Sequence, residues 1–352
     1  MRSPLCVAPR DAHIVAMIAV VTGSSGFIGS HLVNALLARG ATVRVLLRRP
    51  PASPDPRVES AVVDLLDDRS VRSAPVWKRC THVFHVAGVS KGSSLGIFRA
   101  GNVIPTANVC AAAATRGGTP PRFVLVSSLA AAGPASGPER PVAEDDTPAP
   151  IEAYGQSKLE AEQALWRFRD QMPINIVRPA AVYGPGDRDL LRAFQQAVRR
   201  VAIFAAPADQ RFSIVHVADV VNALILACET VTHSGRAYFV ANAEDVSWRS
   251  LYGMVEAIAG VDPVHLKLPP AGLQFAAAAA DFVSRASGRQ FLLNRSRIAL
   301  SRPRWWLCDS SRIRRELDWS ETQPLRDGLR MTYLSYVAEG RLPAPRLAVA
   351  SA

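Results

Sequence analysis

Residues Ile18–Gly29 read IAVVTGSSGFIG: a short apolar run, then three glycines spaced three apart, then the start of an amphipathic segment. In a strand–turn–helix unit, Gly23 allows the tight turn, Gly26 lets the backbone approach a pyrophosphate, and Gly29 allows close packing of the helix on the strand. Free backbone amides at the start of the helix hold the anion. The stretch predicts a dinucleotide-binding turn, with a glycine-rich turn that binds no ligand as the alternative.

Beyond this unit, apolar runs alternate with helical patterns as far as Arg178. The runs are nearly continuous, which is typical of strands buried on both faces of a parallel sheet. We therefore predict an α/β fold: a Rossmann-type, doubly wound parallel sheet with a smaller, mixed C-terminal substrate or lid domain. The predicted strands are Ile18–Val21, Val43–Leu47, Val58–Val63, His82–Val86, Phe123–Val126 and Ile174–Val177, and the predicted helices are Phe27–Arg39, Val103–Thr115 and Glu152–Asp170.

The predicted organisation has two domains and two tails. A later strand, Phe212–Val217, and the helix Asp219–Glu229 are expected to return to the first sheet. An amphipathic pattern at Ala271–Val283 predicts a lid over an apolar pocket, with a helix at a membrane interface as the alternative. The predicted boundaries are 1–16 for a loose tail, 17–183 with 212–230 for the dinucleotide-binding domain, 184–211 and 231–340 for the substrate or lid domain, and 341–352 for a disordered tail.

Composition excludes several classes of protein. Apolar residues make up 49% and charged residues 20% of the 352 residues, so the chain is not collagen-like, disordered or a disulfide scaffold. The five cysteines are scattered without C-x-x-C spacing, which indicates no zinc site, no other metal site and a reducing, cytoplasmic location. No uncharged apolar run reaches the length of a bilayer-spanning helix.

The net charge of +11 raises the question of an anionic partner. Basic and aromatic residues mix in the C-terminal third, a pattern compatible with nucleic acid, substrate phosphates or a membrane surface. A solvated helix face with two core tryptophans is the interpretation we favour, and no nucleic acid is expected. The residues concerned are Arg295, Arg297, Arg302, Arg304, Arg312, Arg314 and Arg315 around Trp305 and Trp306.

Tyr154 and Lys158 form the candidate catalytic group, because a spacing of four places both side chains on one face of a helix. A nearby ammonium group would lower the tyrosine pKa from about 10 toward a range useful for proton transfer. Ser128 ends a predicted strand, at the edge of the sheet where ligands bind. Only four lysines occur in the chain, which makes this pairing informative. A structural tyrosine beside a surface lysine is the alternative.

The second predicted strand ends at Leu47-Arg48-Arg49, where dinucleotide-binding proteins usually carry an acid for the ribose hydroxyls. Arg48 could instead pair with a 2′-phosphate through its guanidinium fork, so we expect NADP, with NAD as the alternative cofactor. An ordinary surface arginine is the competing interpretation. Asp64 follows the third strand and could contact the adenine or cap the next helix.

Taken in order, these motifs carry a family resemblance that extends from residue 17 to about residue 335. The chain resembles the extended short-chain dehydrogenase/reductases, the NAD-dependent epimerase/dehydratase superfamily, nearest the branch of 3β-hydroxysteroid dehydrogenases and dihydroflavonol reductases. The matching segments are Thr22–Gly29, Asp64-Leu65, His85–Gly88, Asn102-Val103, Ser127-Ser128, Tyr154–Lys158, Arg178-Pro179, Val182–Asp187 and Val215–Val220.

The resemblance implies a role for each matching residue. Tyr154 would be the general acid/base, Lys158 would tune it and bind the nicotinamide ribose, and Ser128 would polarise the substrate oxygen. Asn102 would contribute to a proton relay. The implied cofactor-binding residues are Gly23, Ser25, Gly26, Phe27, Ile28, Gly29, Arg48, Asp64, Leu65, Ala87, Tyr154, Lys158, Pro179 and Val182.

Departures from the family pattern narrow the expected reaction. Leu129 and Ala130 stand where sugar-nucleotide dehydratases carry carboxylates, and Ala131–Gly133 replaces the Val-Tyr-Gly common in sugar epimerases. We therefore expect an NAD(P)-dependent oxidoreductase that interconverts a secondary alcohol and a ketone or aldehyde on a fairly apolar small molecule. A nucleotide-sugar epimerase and an NADP-binding sensor without turnover are the alternatives. Homodimerisation and contact with a membrane interface are left open.

Overall fold

The computed structural model describes residues 17–115, 118–199, 201–204, 207–230, 232–267 and 300–346. The predicted tail 1–16, the predicted helix Ala271–Val283, and Arg295 and Arg297 lie outside these residues. The strands are β1 (Ile18–Thr22), β2 (Thr42–Leu47), β3 (Val58–Val62), β4 (His82–His85), β5 (Arg122–Val126), β6 (Ile174–Pro179), β7 (Ala181–Tyr183), β8 (Val201–Phe204), β9 (Arg211–His216), β10 (Arg236–Val240), β11 (Asp245–Ser247), β12 (Val264–Lys267) and β13 (Trp305–Trp306).

Helices occur between most of the strands. A 3-10 turn spans Pro75–Trp77, and a π-helical turn spans Arg99–Val103. The α-helices are α1 (Phe27–Ala38), α2 (Asp68–Ser73), α3 (Leu95–Phe98), α4 (Ile104–Ala114), α5 (Leu129–Ala132), α6 (Ala153–Trp166), α7 (Leu190–Ala197), α8 (Val217–Glu229), α9 (Trp248–Ala259), α10 (Ser311–Leu317) and α11 (Leu325–Ala338).

Seven parallel strands form the main sheet in the order β10-β6-β5-β4-β1-β2-β3. Helices cover both faces: α1 and α8 contribute Leu32, Leu36 and Leu224 to one apolar core, while α4 and α6 contribute Val109 and Leu165 to the other. The chain order reverses between β1 and β4, and ligands of such sheets bind outside the carboxyl ends of the strands at this point. The predicted Rossmann-type fold is confirmed.

A smaller mixed sheet is built on β9, which pairs with β7 and β13 in parallel and with β11 antiparallel. A separate core packs beside it, formed by α7, α9 and α11 around Phe194, Leu251, Tyr333 and Tyr336. A parallel pair, β8 with β12, completes the strands of the described residues. The division into domains at the predicted boundaries stays a prediction.

One predicted strand was assigned to the wrong sheet. Phe212–Val217, expected to join the main sheet, forms β9 of the smaller sheet, and the added strand of the main sheet is β10. The helix after it, α8, does pack on the main sheet. Both β9 and β10 are apolar runs with largely buried residues, so periodicity cannot assign either one to a sheet. The pairing of β7 explains why β9 belongs to the smaller sheet. β7 follows β6 directly in the chain but leaves the main sheet and pairs with β9.

Residues 341–346 differ from the disordered tail predicted there. Leu342 is buried in the core beside α9 and α11, and the Pro343 carbonyl accepts a hydrogen bond from the Tyr333 hydroxyl. The Arg346 amide donates to the carbonyl of Ala259. The prolines and alanines of this segment suggested disorder, but one leucine side chain anchors it to the core.

Two arginines of the basic C-terminal third form ion pairs within the described residues. Arg312 forms ion pairs with Glu144 and Asp145, and Arg314 pairs with Glu321. The two tryptophans are half-buried rather than fully in the core, and Arg304 lies over the Trp305 ring. These contacts within the fold therefore occupy part of the positive charge for which the sequence suggested an anionic partner.

Candidate active site

The turn between β1 and α1 requires glycine at two positions. Gly23 has φ +71°, and a Cβ there would lie 2.6 Å from the Ala87 nitrogen. A Cβ on Gly29 would lie 2.1 Å from the carbonyl oxygen of Gly23. No side chain caps the start of α1, so its first backbone amides face the turn without a side-chain acceptor. This cradle fits the pyrophosphate of a dinucleotide, which needs close backbone approach and free amides.

A chain of buried hydrogen bonds connects this turn to the segment before α4. The Ala87 amide donates to the Thr22 hydroxyl oxygen (3.1 Å), which lies 2.7 Å from His85 Nδ1. His85 Nε2 lies 3.0 Å from the Thr106 hydroxyl, which donates to the Asn102 carbonyl. Because the single Thr106 proton is used there, His85 Nε2 must carry a proton and Nδ1 must accept from Thr22. Burial lowers the pKa of His85 to about 3, in agreement with a neutral ring.

Asn102 lies in the π-helical turn and is almost fully buried. Its side-chain nitrogen donates to the Val89 carbonyl (3.1 Å) and to the Ser157 hydroxyl (2.8 Å), and its side-chain oxygen accepts from the Val89 amide (2.7 Å). The side chain therefore fixes the loop after β4 against α6. Its role in a proton relay stays a prediction.

Helix α6 carries Tyr154 and Lys158, and Ser128 follows β5 as the cap of α5. A Cβ on Gly155 would lie 2.2 Å from the Ala130 carbonyl oxygen, so glycine at this position lets α6 approach α5 closely. This contact brings the Tyr154 hydroxyl within hydrogen-bonding reach of Ser128. The Phe98 ring lies 5.9 Å from the Tyr154 ring and forms an apolar wall beside it.

The pKa values of the pair differ from those expected from the spacing. Burial raises the pKa of Tyr154 to about 12; the hydrogen bond from Ser128 acts in the opposite direction, and the Glu152 carboxylate raises it further. Burial lowers the pKa of Lys158 to about 8 against the charge of Glu162. The expected lowering of the tyrosine pKa by the ammonium group was wrong for this structure, because desolvation of the phenol dominates. Lys158 Nζ donates instead to the Val126 carbonyl at 2.7 Å.

Two acids, Glu162 in α6 and Glu152 at its N-terminal cap, were missed by the sequence interpretation. Glu162 and Arg178 form a buried ion pair behind Lys158, with N–O distances of 2.6 and 2.9 Å, and the Ser127 hydroxyl donates to the same carboxylate. Glu152 caps the start of the helix. Each had a signal in the sequence, because Glu162 follows Lys158 by four residues and Glu152 directly precedes the helix of Tyr154.

The remaining predicted cofactor residues lie along the same edge of the sheet. Arg48 is exposed directly after β2, and Asp64 is exposed after β3. Asp64 does not cap α2, since Asp67 holds that position and Asp64 accepts instead from the Leu66 amide. The other members of the set are Ser25, Phe27 and Ile28 at the start of α1, Leu65 after β3, Ala87 after β4, Pro179 at the end of β6 and Val182 in β7.

An ion pair connects the two sides of this edge. Lys91, in the loop after β4, lies 2.6 Å from a carboxylate oxygen of Asp189, the residue before α7. The loop of Lys91 also carries Gly92, which packs near Phe98. The pair therefore connects the loop after β4 to the helix that begins the second core.

Two features are absent from the described residues, a metal cluster and a membrane span. No group of three or more His, Cys, Asp or Glu side chains suited to a metal ion occurs in the ranges given above. Within the same ranges, no helix is both long and apolar enough to cross a bilayer.

The chain is similar to known proteins in sequence and in fold. A sequence model of the NAD dependent epimerase/dehydratase family matches residues 19–241. Ceramide reductase of Caulobacter vibrioides is 32% identical over 271 residues, which cover 75% of this chain and 77% of that protein. UDP-glucose 4-epimerase of Vibrio cholerae is 23% identical over 326 residues, with 90% and 95% covered. The structure of MoeE5 with UDP-glucose and NAD matches the fold with a TM-score of 0.72 at 24% identity, covering 91% of this chain and 99% of that chain.

Proposed function

Because the chain belongs to the NAD dependent epimerase/dehydratase family, we propose that it is an NAD(P)-dependent oxidoreductase that interconverts a secondary alcohol and a ketone or aldehyde on a fairly apolar small molecule. One observation carries the proposal. The Tyr154 phenol and the Ser128 hydroxyl lie together at the carboxyl edge of the sheet, where the glycine cradle of β1 and α1 also opens. A proton donor and a cofactor cradle at one edge are the two parts that carbonyl reduction needs.

The bound nicotinamide would supply or accept the hydride. In the reductive direction, Ser128 orients the substrate oxygen and Tyr154 Oη donates the proton that this oxygen takes up. In the oxidative direction, Tyr154 takes the proton back from the alcohol. With its pKa raised to about 12, Tyr154 is protonated at neutral pH, which suits the role of donor. Lys158, buried on the same helix face, would bind the nicotinamide ribose.

The surroundings of Ser128 support an apolar substrate. Leu129, Ala131 and Ala132 follow it in α5 and are buried, so no carboxylate stands there for an elimination step. On the other side, the Phe98 ring flanks Tyr154. The similarity to ceramide reductase, a relative whose name indicates a lipid substrate, agrees with this choice.

For the cofactor we propose NADP rather than NAD. Arg48 is exposed directly after β2, the strand next to β1 in the sheet, and no acid occupies this strand end. Its guanidinium group can form a bidentate pair with a 2′-phosphate, whereas a ribose hydroxyl would prefer a carboxylate at this position.

The similarity to UDP-glucose 4-epimerase supports a second candidate, a nucleotide-sugar epimerase. The two reactions differ in the net change of the cofactor. An epimerase reoxidises the cofactor that it reduces, whereas a reductase consumes it. Absorbance of the reduced nicotinamide should therefore be followed with long-chain ketones, steroid ketones and UDP-sugars as substrates. Net consumption of NADPH with an apolar ketone is expected. Epimerised sugar with no net change in absorbance would overturn the proposal, and binding of NADP without turnover on any substrate would favour a sensor.

A further inference from the structure

A series of hydrogen bonds leads from the cofactor turn to the π-helical turn, and its donor and acceptor are fixed at every step. The Ala87 amide donates to the Thr22 hydroxyl, and the Thr22 hydroxyl donates to His85 Nδ1 (3.1 and 2.7 Å). His85 Nε2 donates to Thr106 (3.0 Å), whose own proton goes to the Asn102 carbonyl (2.7 Å). All four bonds point the same way, and hydrogen bonds in such a series strengthen one another.

The Asn102 side chain turns this series into a closed ring. It accepts from the Val89 amide and donates to the Val89 carbonyl (2.7 and 3.1 Å), and Val89 lies two residues after Ala87, the first donor. The same side chain donates to the Ser157 hydroxyl (2.8 Å), which donates to the Tyr154 carbonyl (2.7 Å). The loop after β4 is therefore held at two points, and the ring is attached to the helix of Tyr154.

The loop held in this way packs directly against the cofactor turn. A Cβ on Gly23 would lie 2.6 Å from the Ala87 nitrogen and 2.7 Å from the Ala87 Cα. A Cβ on Gly88, the next residue of the loop, would lie 3.0 Å from Asn102 Oδ1 and 3.4 Å from Lys158 Nζ. A displacement of the loop would therefore disturb the turn on one side and the surroundings of Lys158 on the other.

Two members of the ring, His85 in β4 and Thr106 in α4, lie behind the cofactor turn and are buried. Water cannot replace a partner that either side chain loses, so a broken bond leaves a buried polar group unsatisfied. The imidazole is rigid and carries its two nitrogens on different edges, which fixes the distance between its acceptor and its donor. The position of the Thr22 hydroxyl therefore depends on that of the Thr106 hydroxyl.

We propose that His85 and Thr106 are positioning residues that hold the loop after β4 against the cofactor turn, so that the affinity for the nicotinamide cofactor depends on a hydroxyl of α4. The inference rests on the proposed function, because it requires a dinucleotide at the turn. With the ring intact, the turn is arranged before the cofactor arrives, and binding does not have to order it. Loss of the Thr106 hydroxyl opens the ring, and the loop must then be ordered when the cofactor binds.

The test is the dissociation constant of the preferred dinucleotide, NADP or NAD, measured by calorimetry with the full chain. Thr106→Val keeps the shape of the side chain but removes its hydroxyl, and binding should weaken by about three- to tenfold. Thr106→Ser keeps the hydroxyl and should bind like the unmodified protein. If Thr106→Val does not fold, Thr106→Ala takes its place, since alanine favours the helix.

Thr332→Val is the matched control. Thr332 is also buried, and its hydroxyl also donates to the carbonyl four residues earlier (2.7 Å), but it lies in α11 of the second core. The substitution should leave the dissociation constant unchanged. An equal effect of Thr106→Val and Thr332→Val would overturn the inference.

A second substitution tests whether the effect passes through His85. His85→Asn keeps an acceptor for the Thr22 hydroxyl, but its shorter side chain cannot extend to Thr106. In this background Thr106→Val should cause no further loss of affinity, because the ring is already open. An equally large loss in both backgrounds would show that the Thr106 hydroxyl acts by another route, and the inference would fail.

Nitrogen NMR of the unmodified protein gives an independent measurement. The ring requires the neutral His85 tautomer with its proton on Nε2, and the resonance is assigned by its loss in His85→Asn. A proton on Nδ1 would reverse the donors of the series and overturn the inference. The proposed function is judged separately: a chain that binds neither dinucleotide refutes both, whereas cofactor binding that Thr106→Val does not change refutes the inference alone.

Discussion

At the scale of single residues, the buried phenol of Tyr154 combines a hydrogen bond from Ser128 with the nearby charge of Glu152. Burial and the charge of Glu152 favour the protonated phenol and outweigh the opposing effect of the Ser128 hydrogen bond, so Tyr154 is an acid at neutral pH. General acid catalysis by one positioned group contributes about 10²–10⁴-fold to a rate. Removal of this single hydroxyl therefore isolates its contribution.

Tyr154→Phe is expected to lower kcat for carbonyl reduction by about 10²–10⁴-fold, because the proton donor is lost while the ring keeps its packing against Phe98. Binding of NADP, measured by calorimetry, should change little. Tyr252→Phe, in α9 of the second core, is the control and should keep its activity. Retained turnover in Tyr154→Phe would remove the residue from the mechanism.

Arg48→Ala is expected to weaken the preference for NADPH over NADH by about tenfold or more, because a hydrogen bond to a charged phosphate contributes about 1.5–3 kcal/mol. The measurement is the ratio of kcat/KM values for the two cofactors. Arg49→Ala removes the same charge from the next exposed position and should change the ratio less. An equal effect of the two substitutions would indicate general attraction rather than a specific phosphate contact.

The sequence predicted the placement of Tyr154 and Lys158 on one helix better than their electrostatics. A spacing of four correctly put Tyr154 and Lys158 on one helix, because helical periodicity follows from local geometry. It could not indicate that burial would raise the tyrosine pKa, since desolvation depends on what α3 and α5 cover. The Glu162–Arg178 pair joins a helix to a strand, and that contact exists only after folding.

At the scale of elements, glycine is required for packing in helix α6 but only weakens helix α9. Gly155 in α6 has no room for a side chain, because a Cβ would lie 2.2 Å from the Ala130 carbonyl oxygen. Gly253, in the interior of α9, is exposed and has open space at the Cβ position. The first glycine serves the approach of two helices, and the second only lowers the helix propensity of α9.

Gly253→Ala is expected to raise the free energy of unfolding by up to about 1 kcal/mol, the difference in helix propensity between the two residues. Chemical denaturation measures this change. Gly155→Ala is the matched substitution in a crowded place and should destabilise by about 1–3 kcal/mol, with lower activity because α6 moves from α5. Destabilisation by Gly253→Ala would contradict the open space described for α9.

The strands were predicted well in the part of the chain where apolar runs alternate regularly with helical patterns. Beyond that part, the prediction failed to assign a strand to the correct sheet. The first six strands of the main sheet follow from apolar runs between helical patterns. The seventh does not, because β9 and β10 have similar composition and only the pairing of β7 with β9 separates them. Long-range pairing of this kind leaves no periodic signal in the sequence.

At the scale of the whole molecule, several buried groups tie stability to pH. His82 and His85 lie in β4 at the centre of the main sheet and are buried. Burial lowers the pKa of His82 to about 4 and that of His85 to about 3, below the ordinary value near 6.5. Because the unfolded chain takes up protons that the folded chain refuses, stability falls as the pH drops below about 6.5.

We expect the free energy of unfolding to fall by about 1.3 kcal/mol per histidine between pH 7.5 and pH 5.5, a window above the range where most carboxylates titrate. Urea denaturation at both pH values measures the loss. His233→Gln, which leaves both buried imidazoles in place, serves as the control. Equal stability at the two pH values would show that the buried imidazoles accept protons in the folded state.

The position of β10 has a consequence for synthesis on the ribosome. β10 pairs with β6, yet it begins roughly 57 residues after β6 ends. At about 5–20 residues per second, the outer edge of β6 waits for about 3–11 seconds after it has emerged. During this interval its backbone donors and acceptors are open to pairing with any other extended chain. The sheet that holds the cofactor cradle is thus complete only after α7, the first helix of the second core, has been translated, and nascent chains that stall before residue 236 would be the ones most in need of a chaperone.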